Sequence, residues 1–402
     1  MKSLKQSKMI NILFLHQSAE MYGSDKTLLV LLKNLDKTHF SAVVILPFDG
    51  PLKKELEKEN ITVIIAPVLK LYRKMFTPKN IITFFADIKK GFSIIGELNK
   101  VYQFDFIYSN TLAVLMGVFY ANKTKIKHIW HVHEIIESPK LFKKAFVKLL
   151  AIKSNSKIIY NSKATQTFWN FNPKIANKSS VIWNGIETDP DKISNSEYNQ
   201  FRNYFFQANS NNIVVALVGR ISRWKGQMVL LHAINNIFQD NQNIILAFIG
   251  APPPNQEVFL ENLQTQIKTF KLEGFVKIIP FQDQIHKIWQ TIDIAVVPST
   301  EPEPFGLVAV EAMLAKKPVI GSNHGGLTEI IINNETGFLI EPNNEIALAD
   351  SLKTLIENPE IRTKFGENGY QRAIKHFSVE TYVSSFEKLF TEIIKDGNKI
   401  NS

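Results

Sequence analysis

Cysteine is absent from all 402 residues, which removes disulfide frameworks, thiolate nucleophiles and thiolate metal sites from consideration and suits a reducing compartment; a cytoplasmic protein is expected. The string G-x-G-x-x-G is missing too, so a nicotinamide-dinucleotide dehydrogenase is disfavoured. Long apolar runs are lacking. Met9–Leu15 follows Lys2, Lys5 and Lys8 in the manner of a secretory signal but is short and reads as a first strand, and Leu112–Ala121 falls well below the roughly 20 residues that span a bilayer. No transmembrane helix is expected. A D-x-D string occurs once, as Asp189-Pro190-Asp191, inside a polar stretch rather than at the end of an apolar one. It reads as linker, not as a metal site, and no metal is expected.

What is present is enough for two domains: 402 residues with 45% hydrophobic content exceed one ordinary core. The net charge of +10 is lopsided, because residues 1–190 hold 28 Lys+Arg against 14 Asp+Glu and the remainder 19 against 23. A coding bias toward lysine would load both halves alike, so the first half is read as facing something anionic.

Short apolar runs recur along the chain. In the first half they are Ile10–Leu15, Ala42–Leu46, Ile61–Ala66, Phe106–Ser109, His128–Val132, Lys157–Tyr160 and Ser180–Trp183. In the second they are Ile213–Val218, Ile244–Ile249, Val276–Ile279, Ile294–Val297, Val319–Ile320 and Phe338–Ile340. Most are apolar throughout rather than alternating, the mark of parallel strands covered on both faces, and helical stretches such as Lys26–Leu35 and Leu52–Lys58 separate them. The expected fold is α/β, with two doubly wound parallel-sheet domains. Residues 1–190 form the first, 191–211 a linker with an entry helix, and 212–377 the second. A terminal segment, 378–402, carries Val379, Tyr382, Val383, Phe386, Leu389, Phe390, Ile393 and Ile394 at helical spacing.

Ligands of open parallel sheets collect beyond the carboxyl ends of strands. After Val218 comes Gly219-Arg220-Ile221-Ser222-Arg223-Trp224-Lys225-Gly226. Its glycines admit close backbone approach and its cations suit a diphosphate, although a solvated basic turn has the same look. After Val297 comes Glu301-Pro302-Glu303-Pro304-Phe305-Gly306, with Glu311 inside the following helix. Two carboxylates at different depths beside a helix start fit hydroxyl groups next to an anion; the alternative is a capped surface helix. His324-Gly325-Gly326 adds a third turn near the same edge. In the first half, Gly23 lies in the loop Gln17–Ser24 after the first strand, where it is expected to bring backbone amides to a phosphate, and His131-Val132-His133-Glu134 ends another strand with both histidines directed to one side. His133 is a candidate catalytic contact, or a merely hydrogen-bonded histidine.

Taken together, G-R-x-S-x-x-K-G, E-P-F-G with a second Glu eight residues after the first, and G-G-x-x-E resemble the retaining GT-B glycosyltransferases of family 4. Val181-Ile182-Trp183-Asn184-Gly185-Ile186 and the terminal helix extend the resemblance over nearly the whole chain. It implies two Rossmann-like domains facing a cleft, with the C-terminal helix crossing back to the first. It implies that Arg220 and Lys225 hold the diphosphate of a nucleotide-sugar donor and Glu311 the ribose hydroxyls. Glu303 would hold the donor sugar, helped by backbone at Phe305 and Gly306, and His133 would match the active-site histidine. Gly23 matches a first-domain glycine turn, but Tyr22 stands where many members have a second glycine, and His131 departs from the commoner small residue.

The implied reaction is transfer with retention, without metal or cofactor beyond the nucleotide-diphosphate sugar itself. Cell-surface polysaccharide or glycolipid synthesis is the expected setting. A GT-B epimerase or phosphorylase-like enzyme and a non-catalytic partner subunit are the competing readings; intact Arg220, Lys225, Glu303 and Glu311 speak against the last. For the acceptor, Ser138–Leu150 places Leu141, Phe142, Ala145, Phe146, Leu149 and Leu150 on one helical arc and Lys140, Lys143, Lys144 and Lys148 on the other. This suits the anionic inner membrane face with a lipid-linked acceptor, or an ordinary helix packed on a sheet. No nucleic-acid-reading motif is present.

Overall fold

The computed structural model describes residues 9–70, 78–188, 192–238 and 242–400. The chain divides into two compact units: unit 1 runs to Gly185 and resumes at Val379, and unit 2 is Ile186–Ser378. Asp189, Pro190 and Asp191, with Lys2, Lys5 and Lys8, lie outside the described residues.

Unit 1 contains β1 (Ile10–His16), β2 (Phe40–Leu46), β3 (Thr62–Ile65), β4 (Phe106–Asn110), β5 (Lys127–Val132), β6 (Asn155–Tyr160) and β7 (Ser179–Val181). They pair in the order β3-β2-β1-β4-β5-β6-β7, every pair parallel. Unit 2 contains β8 (Ile213–Val218), β9 (Ile244–Ile249), β10 (Val276–Ile279), β11 (Ile294–Val297), β12 (Val319–Ser322) and β13 (Gly337–Ile340). Their order is β10-β9-β8-β11-β12-β13, again wholly parallel. Each apolar run singled out in the sequence is one of these thirteen strands.

Parallel pairing forces a crossover on every connection, and helices on both faces explain why the strands need no polar side. In β1, Ile12 and Phe14 enter one core layer while Leu13 and Leu15 enter the layer on the opposite face. β9 is buried along its whole length.

The terminal helix, Val379–Ile400, belongs to unit 1. Its Tyr382, Val383, Phe386, Leu389, Phe390 and Ile393 share the core layer of Ile12 and Phe14. Phe390 meets Phe106 at 5.2 Å and Phe40 at 5.9 Å between ring centroids. In unit 2, the helix Asn195–Phe201 and the π-helical turn Arg202–Phe206 precede β8. Buried Arg202 fastens them there, donating to Asp293 Oδ2 at 3.0 Å and to the carbonyls of Thr291 and Asn212 at 3.0 and 2.6 Å. Both terminal nitrogens are so occupied, which makes a guanidinium tolerable inside a core, while Nε is buried without a partner.

Candidate functional site

Each sheet has one place where the chain reverses its direction of build-up, between β1 and β4 in unit 1 and between β8 and β11 in unit 2. Adjacent crossovers leave toward opposite faces there, opening space beyond the strand ends. The candidate residues of both halves gather at these two points.

In unit 2 the three strand-end motifs form one assembly. Gly226, at φ +79°, comes so close to the Pro298 carbonyl that a Cβ would lie 1.9 Å from its oxygen, which holds the basic turn against the end of β11. Gly325, at φ +62°, sits likewise on Glu303, and the Gly326 N–H donates to the Glu303 carbonyl at 2.7 Å. Glu303 is only 4% exposed. Its Oε1 accepts from Lys225 Nζ and from Ser299 Oγ, both at 2.6 Å. Lys225 also lies 4.3 Å from the centre of the Trp224 ring. Arg220 is exposed directly after the glycine that ends β8, and Arg223 pairs with Glu301.

The helix Leu307–Leu314 starts after Gly306, whose φ is +112°. Phe305 buries its ring against Phe377, 5.7 Å away, so its side chain anchors the loop and only its backbone faces the helix start. Glu311 stands one turn farther on, its Oε2 3.3 Å from Trp289 Nε1. Arg220, Lys225, Glu303, Phe305, Gly306 and Glu311 thus line one edge of one sheet. This arrangement supplies cations, helix-end amides and carboxylates suited to hydroxyl groups.

In unit 1 the register sets His16 beside Asn110 and Asn110 beside His131. The helix after β1 begins at Gly23, earlier than the Lys26 expected from the apolar spacing. Its start is defined by Asp25, which reaches back to accept from the Tyr22 N–H at 2.8 Å, a short-range bond that hydrophobic periodicity does not report. The other Asp25 oxygen lies 2.6 Å from His16 Nε2. Asn110 joins His16 Nδ1 at 3.0 Å to His133 Nε2 at 2.9 Å. Glu134 Oε2 accepts the N–H groups of His133 and Leu112, each at 2.9 Å.

Burial governs the protonation of this cluster. His133 is lowered to about 3, chiefly by desolvation. Desolvation also raises Glu134 to about 7 against the backbone hydrogen bonds it accepts. His131 is fully buried, its ring 3.9 Å from that of His133 and 5.4 Å from Phe386, with Nδ1 2.6 Å from Tyr108 Oη. It is therefore a packing element between the sheet and the terminal helix. His16, Asp25 and Asn110 were not singled out in the sequence; the available signal was that the apolar runs of β1 and β4 each end on a polar residue.

Ser109, His128 and Asn155 mimic a nucleophile constellation, with His128 Nε2 2.9 Å from Ser109 Oγ and its Nδ1 2.6 Å from Asn155 Oδ1. All three are buried, His128 and Asn155 near the amino ends of β5 and β6, away from the carboxyl ends where the other candidates lie. The helix Lys140–Leu150 departs from the two-faced arc drawn from its sequence. Leu141 is 76% exposed, only Phe146 and Leu150 are buried, and Lys143 lies over the rings of Phe168 and Phe171 at 3.8 and 4.2 Å. Lysine stems pack on aromatic surface as readily as they extend into water. Among the described residues no helix is long and apolar enough to cross a membrane.

Residues 201–372 match the family described as glycosyl transferases group 1. An uncharacterized glycosyltransferase of Methanocaldococcus jannaschii is 30% identical over 282 residues, covering 69% of this chain and 72% of that one. D-inositol 3-phosphate glycosyltransferase of Corynebacterium efficiens is 31% identical over 183 residues, 44% of this chain, and the match spans only 42% of that relative's length. Among solved structures, Anabaena HepE in complex with UDP-glucose superposes with a TM-score of 0.80 at 28% identity, covering 95% of this chain and 100% of the other.

Proposed function

The chain belongs to the glycosyl transferases of group 1, with their GT-B pair of Rossmann-like domains, and on that premise we propose that it transfers a sugar from a UDP-sugar to an acceptor hydroxyl with retention of configuration. The observation that carries this reading is the convergence of Arg220, Lys225, Glu303 and Glu311 at the switch point of the second sheet. Arg220 and Lys225 take the diphosphate, Glu311 the ribose, and Glu303 the sugar. Glu303 Oε1 is occupied by Ser299 and Lys225, which leaves Oε2 to accept from a sugar hydroxyl. Backbone N–H groups at Phe305 and Gly306 and the helix start behind them add donors for the anion.

In the transfer, the bond between the anomeric carbon and the diphosphate oxygen breaks with its electron pair passing to the phosphate. The acceptor oxygen bonds to the anomeric carbon and its proton passes to the departing phosphate. The cations and helix-end dipole stabilise the charge that grows on the leaving group, so turnover proceeds without a divalent metal. His133 of unit 1 contacts the donor sugar, and Gly23 serves at the start of its helix. The acceptor belongs to glycoconjugate or polysaccharide synthesis and is carried at an anionic membrane surface, to which exposed Leu141, Lys140, Lys144 and Lys148 bring unit 1.

The test is calorimetry with UDP, followed by product analysis from a panel of labelled UDP-sugars. Arg220→Ala and Lys225→Ala should each weaken UDP binding by about 1–3 kcal/mol. Epimerised sugar or sugar phosphate in place of a glycoside would overturn the transferase assignment, and loss of turnover in EDTA would overturn metal independence.

A further inference from the structure

We propose that the first turn of the helix Gly23–Asn34 acts on the reaction at a distance: Asp25, His16 and Asn110 form a hydrogen-bond relay that keeps the proton of His133 on Nε2 and leaves the Nδ1 lone pair to accept from a ligand hydroxyl. The inference rests on the reading of this chain as a sugar transferase, and assigns Asp25, His16 and Asn110 as positioning residues for it.

The direction of each bond follows from chemistry that allows one choice at a time. The amide of Asn110 is pinned first. Its Nδ2 is 3.2 Å from the Ser24 carbonyl, which can only accept, so the group facing Ser24 and His16 is the amide nitrogen. The same nitrogen is 3.0 Å from His16 Nδ1, which must then be the unprotonated ring nitrogen. The His16 proton is on Nε2 and is given to Asp25 Oδ1 at 2.6 Å, an oxygen that accepts as carboxylate. Asn110 Oδ1 is left facing His133 Nε2 at 2.9 Å; an amide oxygen only accepts, so His133 carries its proton there. Among the described residues none hydrogen-bonds His133 Nδ1. Desolvation keeps the ring neutral, and a neutral ring with Nε2 occupied has Nδ1 as its one free acceptor.

The relay draws on β1, β4, the end of β5 and the helix Gly23–Asn34, all at the switch point of the first sheet. It gives the glycine turn a role without phosphate contact: Asp25 begins the chain that terminates at His133, and the Ser24 carbonyl fixes the amide of Asn110 within it. An Nδ1 lone pair selects a hydroxyl and repels a carbonyl or phosphate oxygen, so the relay contributes to preference for a sugar with a hydroxyl at that position.

The experiment is a long-range ¹H–¹⁵N spectrum of the histidine rings in the intact chain at neutral pH, with the His133 signals assigned by their loss in His133→Gln. The expected result is a single neutral tautomer protonated at Nε2. A proton on Nδ1, or on both nitrogens, overturns the proposal without recourse to any variant. Asn110→Leu, close in volume, removes the last link; it should give a mixture of both His133 tautomers and lower kcat roughly 10–100-fold, with the UDP affinity of unit 2 unchanged. A folded Asn110→Leu protein with one tautomer and parent kcat also overturns it. Failure of the parent to bind UDP or transfer any sugar would instead sink the transferase reading and leave the tautomer result standing.

Discussion

The two units share an architecture and differ in how they hold polar groups at the point where strand order reverses. Unit 1 relies on enclosed histidines: His16, His128 and His131 are fully buried, Asp25 and Asn110 flank His16, Asn155 meets His128 and Tyr108 meets His131. Unit 2 buries one charge against a half-buried partner in each of two pairs, Arg202 with Asp293 and Glu303 with Lys225. Removing one partner of such a pair leaves an uncompensated charge, whereas a neutral histidine becomes costly only when a proton is forced on it. The same sheet topology therefore supports one unit sensitive to acid and another sensitive to the loss of either partner of a charge pair.

The largest effect expected from this contrast is at Glu303. Glu303→Ala should lower kcat on the order of 10²–10³-fold, since it removes the proposed sugar contact and strands Lys225. Steady-state kinetics against a UDP-sugar checks it, and parent-like kcat would remove Glu303 from the site. Next comes the terminal helix. Phe390→Ala should destabilise unit 1 by about 3–5 kcal/mol, because the ring fills a layer built by Phe14, Phe40 and Phe106. Hydrogen exchange should place the loss in β1 and β4 and spare β8 and β11; equal loss in both units would erase the distinction between them.

Acid should separate the units more gently. His128 falls from 6.5 to about 4 and His133 from 6.5 to about 3 on folding, both by burial, and His131 moves the same way. The unfolded chain then binds more protons between those limits, so the stability these groups allow is present above about pH 6.5 and is lost as pH falls toward 4. In unit 2 His376 is the shifted histidine among the described residues, and it is only half-buried. Exchange protection measured from pH 7 to 5 should fall more in unit 1. Glu134 runs in the opposite sense: raised from 4.5 to about 7, it costs stability as pH climbs through that interval and so offsets part of the histidine loss toward acid, and Glu134→Gln should steepen the slope. The smallest effect concerns Lys140, Lys144 and Lys148, each contributing about 1 kcal/mol at an anionic surface. Changing them to Gln should weaken co-sedimentation with anionic liposomes at low salt, and equal partitioning to neutral lipid would exclude a charge-driven surface.

Strands were legible because a parallel strand covered on both faces must be apolar throughout, as Ile244–Ile249 is. The strand-end cluster of unit 2 was legible because glycines and charges follow those strands directly, as at Gly219-Arg220. The Asp25–His16–Asn110–His133 relay was not, since its members are scattered over four segments and meet only through the register of β1, β4 and β5. Lys143 was misplaced for a related reason: periodicity gives a helix two faces but says nothing of Phe168 and Phe171 arriving beside it.

The return of Val379–Ile400 to unit 1 has a consequence in time. Chain leaves the ribosome at roughly 5–20 residues per second, so the segments through Gly185 wait on the order of ten to forty seconds for the helix that completes one of their core layers. During that interval the face of the sheet bearing Ile12, Phe14, Phe40 and Tyr108 lacks Phe386 and Phe390. Unit 2, contiguous from Ile186 to Ser378, has all its strands before that helix emerges. The unit synthesised second is thus the first to be whole, and the nascent first unit is the one a chaperone would have to shield.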